Sequence, residues 1–364
     1  MTTNRPAAPH PREVLLGAQA GAVALPVCDH YSGVEARMRK SLLLQAELLA
    51  ERGACVVDVT LDCEDGAPVG GEAEHAAMVV ELVRGVPDAR QRVGVRVHPT
   101  DHPAFAADVA TIVGSVGHKL SHLMLPKVEG VADVERALAA VDAASGFGGR
   151  GTPGNPPAAL PLHVLIESPA AVHRAFEIAA HPRVQSLSFG LMDFVSAHHG
   201  AIPSDGMGVQ GQFSHPLVLR AKMEIASAAH AHGKVPSHCV VTEFRDREAL
   251  RMAARKAALE LGYTRMWSIH PDQIPVILEV FAPALAEVEK AAEIILAAMA
   301  ADWAPISHQG YLHDRASYRY FWQVIERAHA TGMALPDALV PYLRSVASGV
   351  TPDAPVHAAD CRLS

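Results

Sequence analysis

Residues 162–193 read LHVLIESPAAVHRAFEIAAHPRVQSLSFGLMD. Two short apolar runs, LHVLIES (162–168) and VQSLSFGLMD (184–193), flank a segment of helical character. Strands that are buried on both faces are nearly continuous in apolar residues, so this order predicts two parallel strands joined by a helix. Each run also carries a carboxylate at its end, Glu167 in the first and Asp193 in the second.

The same alternation continues on both sides of this stretch. Six further apolar runs precede helical patterns, at 23–27, 55–62, 92–98, 122–127, 234–240 and 264–270. Together the eight strand–helix pairs predict an α/β fold closed into a (β/α)8 TIM barrel. A doubly wound open sheet is the alternative. No GxGxxG motif follows the first run and no Walker loop occurs, which argues against the nucleotide-binding form of that sheet.

The character of the sequence changes after about residue 303. The stretch WAPISHQGYLHDRASYRYFWQVIERAHATG (303–332) combines a polar, aromatic-rich loop with a helical pattern. We therefore expect a barrel domain at 1–300 and a C-terminal helical appendage or lid at 301–364, outside the barrel.

The composition excludes several classes of protein. A formal net charge of -8 argues against a nucleic-acid partner, because phosphate contacts need clustered Lys and Arg. No apolar run reaches the ~18 residues that cross a membrane, and no signal peptide is apparent. The five cysteines form no CxxC pair and are expected to be reduced. These features predict a cytoplasmic protein that binds neither nucleic acid nor a membrane.

Charged and imidazole side chains end most of the predicted strands. Catalytic groups of a barrel come from this end of the strands, although strand ends often carry polar residues simply because they meet water. Glu167 and Asp193 are the least easily explained in that way, because a carboxylate ending a doubly buried strand is costly unless it is paired or binds a metal. Two carboxylates without a cysteine ligand indicate an all-oxygen site suited to Mg²⁺, with Mn²⁺ as the alternative.

Six stretches at these positions form a familiar series. They are VVDVTLDCEDGAP (56–68), VGVRVHP (93–99), LMLPKVEGVADVERA (123–137), HVLIESPAAV (163–172), SFGLMDF (188–194) and MWSIHPDQI (266–274). With them the chain resembles the HpcH/HpaI aldolase and citrate lyase superfamily, and most of all the branch of the citrate lyase β-subunit and the malyl-CoA lyases. The resemblance implies a metal-dependent barrel enzyme.

By motif match, the resemblance implies particular roles for five residues. Glu167 and Asp193 would be the protein ligands of Mg²⁺, and Arg96 would grip the carboxylate or carbonyl oxygens of the substrate. Glu64 and Asp65 would orient metal-bound water.

The resemblance also implies a homotrimer or hexamer in which an aspartate of an adjacent subunit reaches over the site. Asp314 in GYLHDRASY is the nearest match. We rank Asp314 first as the general acid or base, with His98 or His270 second, because imidazole titrates near neutrality. Lys127 ends the fourth run; a salt bridge to a nearby carboxylate is the favoured interpretation over a Schiff-base nucleophile.

The expected reaction is retro-aldol or Claisen-type cleavage of a 3-hydroxy acid or its CoA thioester. It would release a 2-oxo acid such as glyoxylate, oxaloacetate or pyruvate. The first run leads into VALPVCDHYSG (23–33) where the family has a proline-glycine turn, so the use of CoA stays open. The alternatives are a CoA-independent 2-oxo acid aldolase, an acyl-CoA thioesterase and a non-catalytic ligand-binding barrel.

Overall fold

The computed structural model describes residues 10–17, 24–145 and 159–343. The chain divides into two units. Residues 25–282 form the first, and the second joins the residues up to 24 to those from 283 onward. Residues 344–364, which end the predicted C-terminal segment and include Cys361, lie outside the described part.

The first unit is a closed barrel of eight parallel strands. The strands are β1 (Cys28–Ser32), β2 (Val57–Asp62), β3 (Val93–Arg96), β4 (His122–Leu125), β5 (Leu162–Ile166), β6 (Val184–Phe189), β7 (Val235–His238) and β8 (Arg265–Ser268). Each strand pairs with the next, and β1 also pairs with β8 in the register Cys28 to Met266, which closes the barrel. The predicted (β/α)8 fold is confirmed.

Helices surround this barrel. They are α2 (Glu35–Arg52), α3 (Glu72–Arg84), α4 (Phe105–Val116), α5 (Val131–Ala144), α6 (Pro169–His173), α7 (Ala175–Ala180), α8 (Leu191–Ser196), α9 (Pro216–Ala231), α10 (Arg247–Arg255) and α11 (Gln273–Phe281). Alternate strand residues such as Val95, Leu123 and Val164 are fully buried in the apolar layer shared with these helices. The intervening residues face the barrel interior, because side chains alternate along a strand.

The barrel interior holds an apolar layer and a buried polar group. Tyr31, Met124, Leu165 and Trp267 form the apolar layer. In the polar group, the Arg265 Nη2 atom lies 2.8 Å from carboxylate oxygens of both Asp29 and Asp58. Arg92 Nε donates to Asp58 over 2.7 Å. The buried carboxylates therefore have cationic partners, which a charged core requires.

The second unit is built on two long helices and a hairpin. Its elements are α1 (Pro11–Leu16), α12 (Leu285–Ala300), β9 (Ile306–His308), β10 (Tyr311–His313) and α13 (Arg315–Ala330). Apolar faces of α12 and α13 form its core, with Ile295, Tyr318 and Trp322 fully buried. Arg12 of α1 pairs with Glu326 of α13 at 2.8 Å. None of the described helices in either unit has the length and apolarity to cross a membrane.

Two sequence-based boundaries differ from the structure. The first strand was predicted at 23–27, which is wrong, because β1 spans Cys28–Ser32. β1 carries Asp29 into the polar interior, so its sequence lacks the apolar run used to find the other strands. The units divide at residue 283 and not near the expected boundary of 300, because the Ala-rich α12 packs on α13.

Candidate active site

The carboxyl ends of neighbouring strands β2 to β6 bring the predicted site residues together. Glu64 and Asp65 follow β2, Arg96 ends β3, and Glu167 follows β5. Asp193 was predicted at the end of a strand and instead lies in the first turn of α8. Strand β6 stops earlier because the backbone turns at Gly190, the residue before that helix.

Glu167 is a buried carboxylate, with 5% of its surface exposed. Its Oε1 atom accepts a hydrogen bond of 2.5 Å from the backbone N–H of Lys127. Burial, together with the negative charge of Asp193, raises the pKa of Glu167 to about 8. Burial also raises the pKa of Asp193, where the charge of Lys127 opposes the rise and that of Asp65 adds to it. The ionised forms of both carboxyl groups are therefore disfavoured at this position of the barrel.

Gly190 makes room for Glu167. A Cβ atom at this position would lie 2.3 Å from Glu167 Oε2 and 2.4 Å from Glu167 Cβ, well inside van der Waals contact. Any larger residue would therefore displace the carboxylate. This glycine keeps the end of β6 close to the acid that follows β5.

Arg96 is held rigidly by a residue that the sequence analysis did not select. Its Nε and Nη2 atoms donate to the two carboxylate oxygens of Asp62, at 2.6 and 2.5 Å. Its Nη1 atom lies 3.0 Å from Glu64 Oε2. Burial tends to raise the pKa of Asp62, but the Arg96 charge and hydrogen bonds outweigh it and the pKa is lowered. The guanidinium keeps N–H groups on Nη1 and Nη2 for a further oxygen.

The sequence offers one signal for Asp62: it ends the run CVVDVTLD, just before the Glu64–Asp65 pair. In the structure its oxygens also accept hydrogen bonds from the backbone N–H groups of Glu64 and Gly66. What the sequence lacked was the pairing register, which sets Asp62 beside Arg96.

Lys127 joins the two sides of the site. Its Nζ atom donates to Glu64 Oε1 and lies 3.6 Å from Asp65 Oδ1. Burial tends to lower the pKa of Lys127, but the bond to Glu64 outweighs it and the pKa is raised. The side chain therefore pairs with carboxylates, as the favoured interpretation predicted.

The residues present fit a hard divalent cation. Glu167 and Asp193 offer only oxygen atoms, the ligands that Mg²⁺ and Mn²⁺ prefer. Burial raises the pKa of both acids and so penalises the ionised forms that would bind a metal. A bound cation would remove that penalty.

A second cluster does not fit a metal. Asp29, His122 and His163 bring one donor atom each within 4.8 Å of one another in the barrel interior. However, Asp29 already has the Arg265 cation at 2.8 Å. Thr60 donates its hydroxyl proton to Asp29, so His122 Nε2, which lies 3.1 Å from the Thr60 oxygen, must itself donate and has no lone pair to offer. The cluster is a hydrogen-bonded part of the core.

The other predicted residues lie in different surroundings. Asp314 belongs to the second unit, where its carboxylate caps α13 by accepting from the N–H groups of Ala316 and Ser317. His98 Nδ1 lies 2.6 Å from Asp108 Oδ2, which fixes the orientation of the ring. His270 stacks on Phe244.

The chain was compared with known proteins. A family model described as HpcH/HpaI aldolase/citrate lyase matches residues 46–271, more than half of the chain. An L-malyl-CoA/beta-methylmalyl-CoA lyase of Cereibacter sphaeroides (strain ATCC 17029 / ATH 2.4.9) is 31% identical over 297 residues, which cover 77% of this chain and 90% of the relative.

Solved structures have the same fold. A citrate lyase from Burkholderia xenovorans LB400 is 47% identical, with a TM-score of 0.74, and the match covers 92% of this chain and 100% of that one. Protein CitE from Mycobacterium tuberculosis, whose structure contains magnesium, acetoacetate and coenzyme A, is 22% identical with a TM-score of 0.57, over 84% of this chain and 98% of that one. At the latter identity the likeness shows the fold alone. The chain belongs to the HpcH/HpaI aldolase/citrate lyase family and is a carbon–carbon lyase.

Proposed function

We propose that the protein uses Mg²⁺ to cleave the Cα–Cβ bond of a 3-hydroxy acid or its CoA thioester, releasing a 2-oxo acid such as glyoxylate, oxaloacetate or pyruvate. The observation that carries this proposal is the pair formed by Glu167 and Asp193. Both acids have raised pKa values, and cationic side chains lie around them. Mn²⁺ is the alternative metal.

The CoA thioester is the first substrate class to test. The Cereibacter sphaeroides relative is named for two such thioesters and shares 31% identity over 90% of its length. The family match also covers every proposed barrel residue of the site, since it runs from residue 46 to residue 271. Neither observation selects one acyl group.

In this proposal Glu167 and Asp193 hold the metal, which would supply Lewis-acid polarisation of a substrate oxygen. Arg96 provides a fixed cation beside it, because Asp62 prevents the guanidinium from turning. Its remaining N–H groups would donate to the carboxylate or carbonyl oxygen of the substrate. A preorganised donor of this kind contributes on the order of 10²–10³ in rate. Glu64 contacts Arg96 and Lys127, Asp65 lies near Lys127, and both acids would orient water at the bound metal.

The general acid or base is proposed to be Asp314, contributed by an adjacent subunit of a homotrimer or hexamer. Exposed apolar residues in the second unit support association: Tyr311 and Leu312 of the hairpin are 70% and 77% exposed. His98 and His270 are the second candidates, and Asp108 fixes the orientation of the His98 ring.

The test is a substrate panel assayed with and without Mg²⁺. It contains L-malyl-CoA, β-methylmalyl-CoA, citramalyl-CoA and the corresponding free hydroxy acids, and 2-oxo acid release is measured. Metal-dependent cleavage of a thioester is the expected result. Cleavage of the free acids alone would make the protein a CoA-independent aldolase, and free CoA together with a released hydroxy acid would make it a thioesterase. A Glu167→Gln variant with wild-type turnover would overturn the proposed metal site.

A further inference from the structure

We propose that Lys127 is a positioning residue with two separable functions: its backbone amide orients Glu167, and its ammonium group orients Glu64. This inference rests on the proposed metal-dependent function. The backbone of Lys127 would orient the metal ligand Glu167, and its side chain would hold Glu64 against Arg96.

The first function belongs to the backbone. Lys127 has φ +52°, in the left-handed region that residues with a side chain rarely adopt. In this conformation its N–H points at Glu167 Oε1, 2.5 Å away. The hydrogen bond is charge-assisted and joins the loop after β4 to the acid that follows β5. Uncommon backbone conformations of this kind persist where the surroundings enforce them. The strained turn therefore sets where one metal ligand lies.

The second function belongs to the side chain. Lys127 Nζ binds Glu64 Oε1, while the other oxygen of Glu64 faces Arg96 Nη1 at 3.0 Å. Glu64 Oε2 also accepts the backbone N–H of Asp65. Glu64 thus bridges two cations, one from each side of the site. Removing the ammonium would free Glu64 to pull Arg96 towards itself, while Glu167 and its amide donor would stay in place.

Three substitutions separate the two functions. Lys127→Met and Lys127→Gly both remove the ammonium; methionine, like lysine, is unbranched at Cβ, and glycine adopts positive φ readily. Lys127→Val also removes the ammonium, and its branched Cβ strongly disfavours positive φ, so the amide should leave Glu167. Gln309→Val is the matched control: Gln309 has φ +48° in the exposed turn between β9 and β10, so the backbone strain is similar and far from Glu167 in sequence.

The measurements are Mn²⁺ affinity, by electron paramagnetic resonance of the free ion, and kcat on the best substrate of the panel. For Lys127→Met and Lys127→Gly we expect Mn²⁺ affinity within about threefold of wild type and kcat lowered about 10–100-fold. For Lys127→Val we expect Mn²⁺ affinity lowered at least about tenfold as well, because an oriented ligand is lost. Gln309→Val should leave Mn²⁺ affinity unchanged. Circular dichroism checks that each variant is folded.

Equal Mn²⁺ affinity in Lys127→Val and Lys127→Met would overturn the backbone function, and wild-type kcat in Lys127→Met would overturn the side-chain function. Should Lys127→Val not fold, weakened Mn²⁺ binding in Lys127→Gly would count against the inference, because glycine retains the amide. Failure of the wild-type protein to bind Mn²⁺ would overturn the proposed function and this inference together. If wild type binds Mn²⁺ normally and the Lys127 variants match it in Mn²⁺ affinity and kcat, only the inference about Lys127 would be overturned.

Discussion

Glu167 determines how the site responds to pH. Its pKa of about 8 lies above the ordinary value of 4.5, because burial and the charge of Asp193 disfavour the ionised form. Between these two values the folded, metal-free protein retains a proton that the unfolded chain has released. The folded state is therefore progressively penalised as pH rises through this window.

We expect the free energy of unfolding of metal-free protein to fall between pH 5 and pH 8 more steeply in wild type than in Glu167→Gln. Glutamine keeps the acceptor for the Lys127 amide but does not titrate. Urea denaturation in the presence of a chelator measures this difference. Mn²⁺ affinity of wild type should rise over the same range, since the metal displaces the proton. Parallel stability curves for the two proteins would contradict the assignment.

Gly190 offers a steric test of the same acid. Gly190→Ala should lower Mn²⁺ affinity at least about tenfold, because the added Cβ would meet Glu167 Oε2 at 2.3 Å. Overpacking of this kind also costs about 1–3 kcal/mol of stability.

The matched control for that variant is Gly114→Ala in α4. There the nearest atom to an added Cβ is the carbonyl oxygen of Ala144 at 3.5 Å, an ordinary contact. Alanine should stabilise this helix by about 0.5–1 kcal/mol and leave metal affinity unchanged. Titration calorimetry measures the Mn²⁺ affinity of both variants, and thermal denaturation measures their stability. Unchanged affinity in Gly190→Ala would show that Glu167 tolerates displacement.

Among the strands and helices, closure of the barrel depends on buried charge. Arg265 on β8 contacts Asp29 on β1 and Asp58 on β2, so one side chain joins the last strand to the first two. All three side chains are almost completely buried. Their attraction is partly offset by desolvation, but removing one partner leaves unpaired charge in the core.

Arg265→Met is expected to cost about 3–5 kcal/mol in the free energy of unfolding, for this reason. Arg39→Met serves as the control, because its ion pair with Glu35 at 2.6 Å is on the surface, with side chains 61% and 51% exposed. That change should stay within about 1 kcal/mol. Urea denaturation midpoints give both values. A loss in Arg265→Met no larger than that of the control would show that the interior charges are hydrated.

The elements could be predicted where burial produced a continuous apolar run. Strands β2 to β8 all lie within the predicted ranges, and the outward residues of β2 to β6 are buried in the apolar layer shared with the helices. Strand β1 could not be found in this way, since Asp29 and His30 face polar partners from β2 and β8. The two proposed metal ligands, Glu167 and Asp193, each end one of the predicted runs and could be found for the same reason. The Asp62–Arg96 clamp and the Lys127 turn depend on register and backbone conformation, which spacing does not reveal.

At the scale of the whole molecule, a shared site would make activity depend on assembly. Asp314 and the proposed metal ligands belong to different units of the chain. If Asp314 acts on a neighbouring subunit, two inactive variants can complement each other within one oligomer.

Co-expression of Glu167→Gln with Asp314→Asn is expected to restore up to about a quarter of wild-type activity in a ring with one site per interface. Asparagine keeps the N-cap of α13, so the variant should remain folded, whereas Asp314→Ala would lose about 1 kcal/mol. Analytical ultracentrifugation of the mixture establishes the oligomer. A monomeric protein, or mixed oligomers without activity, would place the general acid or base within the same subunit.

The cross-barrel position of Arg265 has a consequence for synthesis of the chain. Asp29 and Asp58 emerge from the ribosome roughly two hundred residues before the arginine that they share. At translation rates of about 5–20 residues per second, these acids wait on the order of 10–40 s for that partner. During this time Asp58 can pair with Arg92, but burial would leave Asp29 short of positive charge, so the nascent strands β1 and β2 gain little by collapsing together. Because Arg265 is synthesised late, a compact state of the first strands alone is disfavoured until all eight strands are present.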